Sequence, residues 1–247
     1  MDALIMAAGR GSRLGAHTDD RPKALIDLGG ISPLELQLDL LADRGIERVI
    51  LVTGYRRADV EAAAIARAGG RLRVQAVWNP FWSVTNVVGS AWMARDALTG
   101  PFVYLHADTV FEPSVLDDLL ASTADATLPV DVRPCEPEQM KARIEGGRIV
   151  HLSKELPEAQ TAGEFIGIGV FRDPAVPAVR AALDAVLAAG DLTGYFEAAL
   201  NVAIDDGLVI TPLPTAGRAW TEIDFAEDLE LARSLLPRLR PGPTAAS

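Results

Sequence analysis

Short apolar runs bounded by glycine, proline and small polar residues alternate along this chain with longer stretches in which apolar side chains recur every three or four positions. The first pattern predicts strands and the second predicts helices with one buried face. Strands are expected at residues 4–7, 48–52, 72–77 and 102–105, with helices between them at 33–43, 58–68 and 86–98. Pro33 directly after Ser32 suits a capped helix start. Alternation of this kind is the mark of β-α units around a mostly parallel sheet. In the second half the pattern changes to shorter strands at 126–132, 141–144, 148–152 and 166–171, with helices at 175–189 and 225–236. That change predicts an antiparallel extension of the sheet, and so an α/β fold with a mixed sheet flanked by helices.

Composition narrows the class. With 247 residues, 49% of them hydrophobic and 23% charged, the chain is long enough for one domain, 1–247, with a substantial core. Residues 237–247, rich in proline, alanine and basic side chains, read as a flexible tail. The formal net charge of -11 argues against a nucleic-acid or anionic-membrane partner, because those are held by excess Lys and Arg. A lone cysteine, Cys135, excludes an internal disulfide and reads as an incidental residue of a polar loop. No apolar run approaches the roughly 18 residues of a membrane span, so a cytoplasmic protein is expected.

The cations that matter lie near the start. After the first strand the chain breaks into Ala7-Ala8-Gly9-Arg10-Gly11-Ser12-Arg13-Leu14, followed by Thr18 and Pro22-Lys23-Ala24. Backbone N–H groups in such a loop can approach an anion with no Cβ in the way, and Arg10, Arg13 and Lys23 add positive charge. A dinucleotide loop would need a third glycine where Leu14 stands, and a Walker A loop would need Lys directly after its second glycine, where Ser12 stands. The first reading is weak and the second fails, which favours a triphosphate cradle or simple turn punctuation.

Over its whole span the loop resembles L-x-x-A-A-G-x-G-x-R-L, a Thr, then P-K-x-L, the signature of the nucleotidyltransferases that make nucleoside-diphosphate sugars and CDP-alcohols. The resemblance implies a Rossmann-like, glycosyltransferase-A-like fold, with the loop residues Ala8, Gly9, Gly11, Ser12 and Arg13 around the nucleotide's phosphates and Lys23 on phosphate in the active site. Asp108 follows the strand at 102–105, at the carboxyl end where open α/β sheets place ligand sites. Asp224, in Trp220-Thr221-Glu222-Ile223-Asp224-Phe225, precedes the last helix, a position that also suits N-capping. In the family the matching pair of carboxylates holds Mg²⁺, the expected cofactor. Ala107 stands where the family usually has glycine.

Residues 79–91, with Asn86, Gly89 and Ser90 at a predicted helix start, resemble the base-recognition segment of the phosphocholine cytidylyltransferase branch. The competing reading is a capped helix with Trp78, Trp82 and Trp92 in the core. Ser153-Lys154 and Gly163-Glu164-Phe165 also match that branch, which implies Lys154 on the acceptor's phosphate and Glu164 near its organic part. Tyr195, with Phe196, Trp82 and Trp220, offers walls for a cationic acceptor, and Glu222 a further contact. The whole implies CMP transfer from CTP to a small phosphorylated or phosphonylated alcohol, with Arg13, Lys23 and Lys154 offsetting charge. The alternatives are a sugar-1-phosphate nucleotidyltransferase using UTP, GTP or dTTP, and a nucleotide-binding protein without chemistry. No hexapeptide repeat is present, so a second, acyl-transferring activity is not expected.

Overall fold

The computed structural model describes residues 1–240. Four parallel strands form its centre: β1 (Asp2–Ala7) lies between β2 (Arg48–Thr53) and β4 (Phe102–His106), and β2 pairs outward with β3 (Arg73–Trp78). Each is an apolar run predicted from sequence, adjusted by a residue or two. β1 shows why these runs are continuous rather than alternating. Leu4 packs into the core on one face of the sheet and Ala3 and Ile5 into the core on the other, so both faces are covered.

Helices α1 (Pro33–Asp43) and α2 (Arg57–Ala68) cover one face, and α3 (Val87–Ala94) the other. The start of α1 is fixed by a capping box: Ser32 Oγ accepts from the Glu35 N–H at 3.3 Å, and Glu35 Oε2 accepts from the Ser32 N–H at 2.8 Å. The remaining elements are β5 (Thr109–Phe111), α4 (Pro113–Ala121), β6 (Ala126–Asp131), β7 (Lys141–Glu145), β8 (Arg148–Ser153), β9 (Gly163–Phe165), β10 (Ile168–Phe171), α5 (Ala175–Ala188), α6 (Phe196–Asp205), β11 (Ile210–Pro214), β12 (Trp220–Glu222) and α7 (Ala226–Leu239).

The sheet runs β11-β8-β7-β9-β6-β10-β4-β1-β2-β3, and β10 is antiparallel to both β4 and β6. The expected antiparallel extension is therefore present. Beyond the expectation, β11 pairs in parallel with β6, so the ladders β6-β9-β7-β8-β11 close on themselves at one end of the sheet.

Three boundaries differ from the sequence reading. The strand expected at 166–171 is two, because the backbone turns at Gly167 with φ of 77°, where a Cβ would sit 2.8 Å from His106 Nδ1. The helix expected to 98 ends at Ala94 and runs on as a 3-10 turn. The last helix passes through Pro237 to Leu239, whose side chain is buried, while Arg238 Nε donates to Glu112 Oε1 at 2.6 Å. The rest of the expected tail, 241–247, lies outside the described residues. Helix α6 was not anticipated, although Phe196, Ala199, Leu200 and Ala203 are all buried and fall at helical spacing. Among the described residues no helix is long and apolar enough to cross a membrane.

Candidate active site

Where β1 ends, the chain leaves the sheet at Ala8, whose carbonyl accepts from the Tyr55 N–H at 3.0 Å. Gly11 takes φ of 79°, a left-handed conformation that favours glycine. A Cβ there would lie 2.6 Å from Lys23 Cβ, so this glycine makes room for the lysine's stem. The Thr18 hydroxyl donates to the Gly11 carbonyl at 2.9 Å and ties the following turn back onto the loop. Lys23 is thereby held beside the loop, only 9% exposed.

Its ammonium lies between two carboxylates, 2.7 Å from Asp108 Oδ2 and in contact with Asp224 Oδ1. Burial by itself would lower the Lys23 pKa, but Asp108, Glu222 and Asp224 raise it above its ordinary value and keep it charged. Burial likewise works against the charged form of Asp108, yet Lys23 and His106 hold its pKa below the usual carboxylate range.

Asp108 sits in the turn between β4 and β5, and a two-stranded ribbon brings Asp224 to it. β12 pairs antiparallel with β5, Glu222 opposite Thr109, and the Ile223 N–H donates to the Asp108 carbonyl at 3.1 Å. Asp224 does not cap α7. Asp228 Oδ2 accepts from the N–H groups of Asp224 and Phe225 at 2.9 and 2.8 Å, which frees the Asp224 carboxylate to meet Lys23 and, at 3.3 Å, Arg13 Nη1.

The carboxyl pair has the character of a divalent-cation site. Asp108 Oδ1 is buried and has no hydrogen-bond partner, and the donors are hard oxygens. A second grouping shares Asp108: one ligand atom each from His106, Asp108 and Glu222 lie within 4.8 Å of one another. His106 Nδ1 is 3.7 Å from Glu222 Oε1, and its Nε2 meets the buried Tyr104 hydroxyl at 2.8 Å. Burial would lower the His106 pKa, but Glu222, Asp108 and Glu197 push it up to about 9.

These groups line one open cleft of about 1050 Å³. Of the expected loop residues, Ala8, Gly9, Gly11 and Arg13 reach its wall, while Ser12 faces solvent outside it. Arg10 also lies outside, near Asp19 at 3.8 Å and over the Tyr55 ring. Asn86 and Ser90 line the cleft, but Gly89 packs against Thr85 and the Leu192 carbonyl instead. The start of α3 is less free than its composition implies, since the N–H groups of Asn86 and Val88 donate to the carbonyls of Leu192 and Gly194. Asn79 fastens this segment from below, giving hydrogen bonds of 2.9 Å to both Thr85 Oγ1 and Ser90 Oγ. Trp78, Trp82 and Trp92 do not form a core: Trp78 is 48% exposed, and the other two only border the buried cluster.

Lys154, Glu164, Tyr195 and Glu222 line the same cleft, Glu222 beside Asp108, and Lys154 and Arg13 each 3.9 Å from Glu138 Oε2. Lys154 Nζ lies 4.7 Å from the centre of the Tyr195 ring. Glu164 Oε2 accepts from Arg133 Nη2 at 2.7 Å, and burial, partly offset by that arginine, pushes its pKa up to about 7. Phe196, expected as a wall, is wholly buried and stacked on Tyr104 at 4.1 Å. The cleft also holds His106, Arg133, Glu138 and Glu197, which the sequence did not single out. Arg133 and Glu138 share the connection between β6 and β7, while His106 comes from β4 and Glu197 from α6, so no one motif joins the four.

A Gly-rich loop, a bridging lysine and paired carboxylates thus meet at the carboxyl end of a mixed sheet that has the glycosyltransferase-A-like fold of the nucleotidyltransferases. A model of the MobA-like NTP transferase domain matches residues 3–189, and the chain belongs to this family. It is 30% identical over 239 residues to the CMP-5'-(3-aminopropyl)phosphonate synthase of Streptomyces rubellomurinus, covering 91% of this chain and 35% of that protein. It is also 30% identical over 238 residues to the bifunctional IPC transferase and DIPP synthase of Rubrobacter xylanophilus, covering 95% of this chain and 51% of that protein. The chain thus spans between a third and about half of the length of these relatives. Among solved structures, the CTP:phosphocholine cytidylyltransferase of Streptococcus pneumoniae shares the fold with a TM-score of 0.79 at 20% identity, covering 95% of this chain and 98% of that one. The inositol-1-phosphate CTP transferase of T. maritima does so with a TM-score of 0.80 at 23% identity, covering 98% and 96%.

Proposed function

We propose that this protein is a Mg²⁺-dependent cytidylyltransferase that moves CMP from CTP to a small phosphonylated or phosphorylated alcohol and releases pyrophosphate. The observation that carries the reading is the Lys23 ammonium held between Asp108 and Asp224 beside the loop, in a cleft that Lys154 also lines. The choice of CTP and of a non-sugar acceptor is supported by the relatives, whose names describe CMP-phosphonate and inositol-phosphate chemistry.

Nucleotidyl transfer brings two anions together in line, so charge and geometry are the main demands on the protein. Ala8, Gly9, Gly11 and Arg13 would receive the triphosphate, Arg13 reaching its outer oxygens and Lys23 the reacting phosphate. Asn86 and Ser90 would face the base, with Gly89 packed behind them. Lys154 would hold the acceptor's phosphate or phosphonate, with Glu164, Tyr195 and Glu222 around its organic part. Asp108 and Asp224 would hold Mg²⁺, whose chemistry when bound is to neutralise charge at the α-phosphorus and on the departing pyrophosphate. No side chain has to form a covalent bond, because the acceptor's own oxygen is the nucleophile.

The test is pyrophosphate release with each NTP against phosphocholine, aminoalkylphosphonates, glycerol phosphate, inositol phosphate and hexose 1-phosphates. Release with CTP and a non-sugar acceptor is expected. Release only with UTP, GTP or dTTP and a sugar phosphate would make it a sugar nucleotidyltransferase, and nucleotide binding with no release would leave a binding protein.

A further inference from the structure

One titratable group in the cleft has no task in the reading above. Glu197, in the first turn of α6, is 2% exposed, lines the cleft, and leaves its Oε2 with no hydrogen-bond partner. Leaving a buried carboxylate oxygen unpaired is costly, and a native structure that does so usually reserves the atom for something that arrives.

The charges around it identify that something. Arg133 is engaged by Asp131 at 3.0 Å and Glu164 at 2.7 Å. Lys23 is taken by Asp108 and Asp224, and His106 faces Glu222 at 3.7 Å. Burial raises the Glu197 pKa, and His106 and Lys154 work against that without bonding to it. Lys154 itself lies 3.9 Å from Glu138. If Lys154 takes the acceptor's phosphorus oxyanion, Glu197 is left as a buried acid with an open oxygen, and a cation on the acceptor itself would supply its partner.

The aromatic faces narrow the kind of cation. A quaternary ammonium has no N–H to donate and is held by open rings. Here Tyr195, Trp220 and Phe225 already carry the protein's own cations: Lys154 lies over Tyr195 at 4.7 Å, Arg133 over Trp220 at 5.4 Å and Arg13 over Phe225 at 5.8 Å, while Trp82 lies against Tyr55 with ring centres 5.3 Å apart. A buried carboxylate with a free oxygen is instead matched by a group that donates hydrogen bonds.

We propose that the acceptor is an aminoalkyl phosphonate or phosphate with a primary ammonium, and that Glu197 binds that ammonium and sets the preference for it over a hydroxyl or a quaternary ammonium. This rests on the cytidylyltransferase reading. It adds a residue, Glu197, and the selectivity it would impose, to the acceptor class that the name of the Streptomyces rubellomurinus relative describes.

The test compares 2-aminoethylphosphonate, 2-hydroxyethylphosphonate and phosphocholine with CTP, in the wild type and in Glu197→Gln. The wild type should favour the primary amine by about 10- to 100-fold in kcat/KM, the worth of one charge-assisted hydrogen bond. In Glu197→Gln that ratio should collapse, mainly through KM for the amine. A wild type that uses amine and hydroxyl alike overturns the inference while leaving cytidylyl transfer intact, and so does a variant that loses all acceptors in equal proportion. If CTP binds in calorimetry but no acceptor releases pyrophosphate, both the inference and the reading beneath it fail. The wild-type ratio needs no variant, so misfolding of Glu197→Gln would still leave a decisive measurement.

Discussion

A lysine between two carboxylates is stable only while all three remain charged and close, and on the proposed function this arrangement is the centre of the site at the scale of single residues. Removing either acid would take away a carboxylate that holds the metal ion. Asp108→Ala and Asp224→Ala should each slow pyrophosphate release at least about 10²- to 10³-fold. Neither removes core packing, so circular dichroism should show the fold retained, and wild-type rates in either variant would refute the metal assignment. Lys23→Met should act differently. It leaves the two carboxylates facing each other without the cation between them, Asp224 keeping only Arg13, a loss of about 2 to 4 kcal/mol by the cost of breaking a buried pair. Added Mg²⁺ should then raise the melting temperature of Lys23→Met more than that of the wild type. An equal or smaller shift would place the ion elsewhere. These residues were legible in the sequence because each lies in a motif, whereas Glu197 was not, since nothing local distinguishes a buried acid from a solvated one.

At the scale of elements, the loop after β1 works as a fitted part of the lysine site. Gly11→Ala combines a strained φ of 79° with a Cβ 2.6 Å from Lys23, so it should displace the lysine and cost activity out of proportion to stability. Activity close to the wild type, measured by pyrophosphate release, would show that the loop can yield without moving Lys23. The start of α1 offers a contrast, because Ser32→Ala removes a capping hydrogen bond far from the chemistry. It should cost about 1 kcal/mol in denaturant unfolding and leave the rate constant unchanged. Both features are local, and the glycine and the Ser-Pro pair announce them. The β5–β12 ribbon is the opposite case. Its strands have three residues each and lie far apart in the chain, too short for a period to be read. Yet this ribbon sets Asp224 beside Asp108 and, with Asp228, turns what looked like a helix cap into part of the site.

At the scale of the whole molecule, an acidic protein gathers cations into one cleft and places buried acids among them. Glu164 shows the consequence for stability. Burial raises its pKa in the fold to about 7 from an ordinary 4.5, so folding favours its protonated form. Its contribution is therefore fully present below about pH 4.5 and is lost as pH rises through about 7, at a cost on the order of 1 to 3 kcal/mol. Glu164→Gln should flatten the fall in stability across that window in thermal melts taken at successive pH values. A variant curve parallel to the wild type would mean that Arg133 already holds the carboxylate ionised throughout. The closed ring of ladders that seats Glu164 is a global feature in the same sense, because it depends on β11 returning in parallel to β6.

The sequence by itself determined the strands of the central sheet, most of its helices, the glycine-rich loop, and the aspartates and lysines that line the cleft. Apolar periodicity and backbone demands act over a few residues, and a motif preserves them in order. Only the tertiary structure decided that Lys23 stands between Asp108 and Asp224, that Gly89 packs inward, that Tyr195, Trp220 and Phe225 carry the protein's own cations, and that Glu197 Oε2 is left without a partner. Pairing of charges, burial and access to a cleft depend on which distant segments meet, and that is settled by the packing of the sheet rather than by the spacing of residues along the chain.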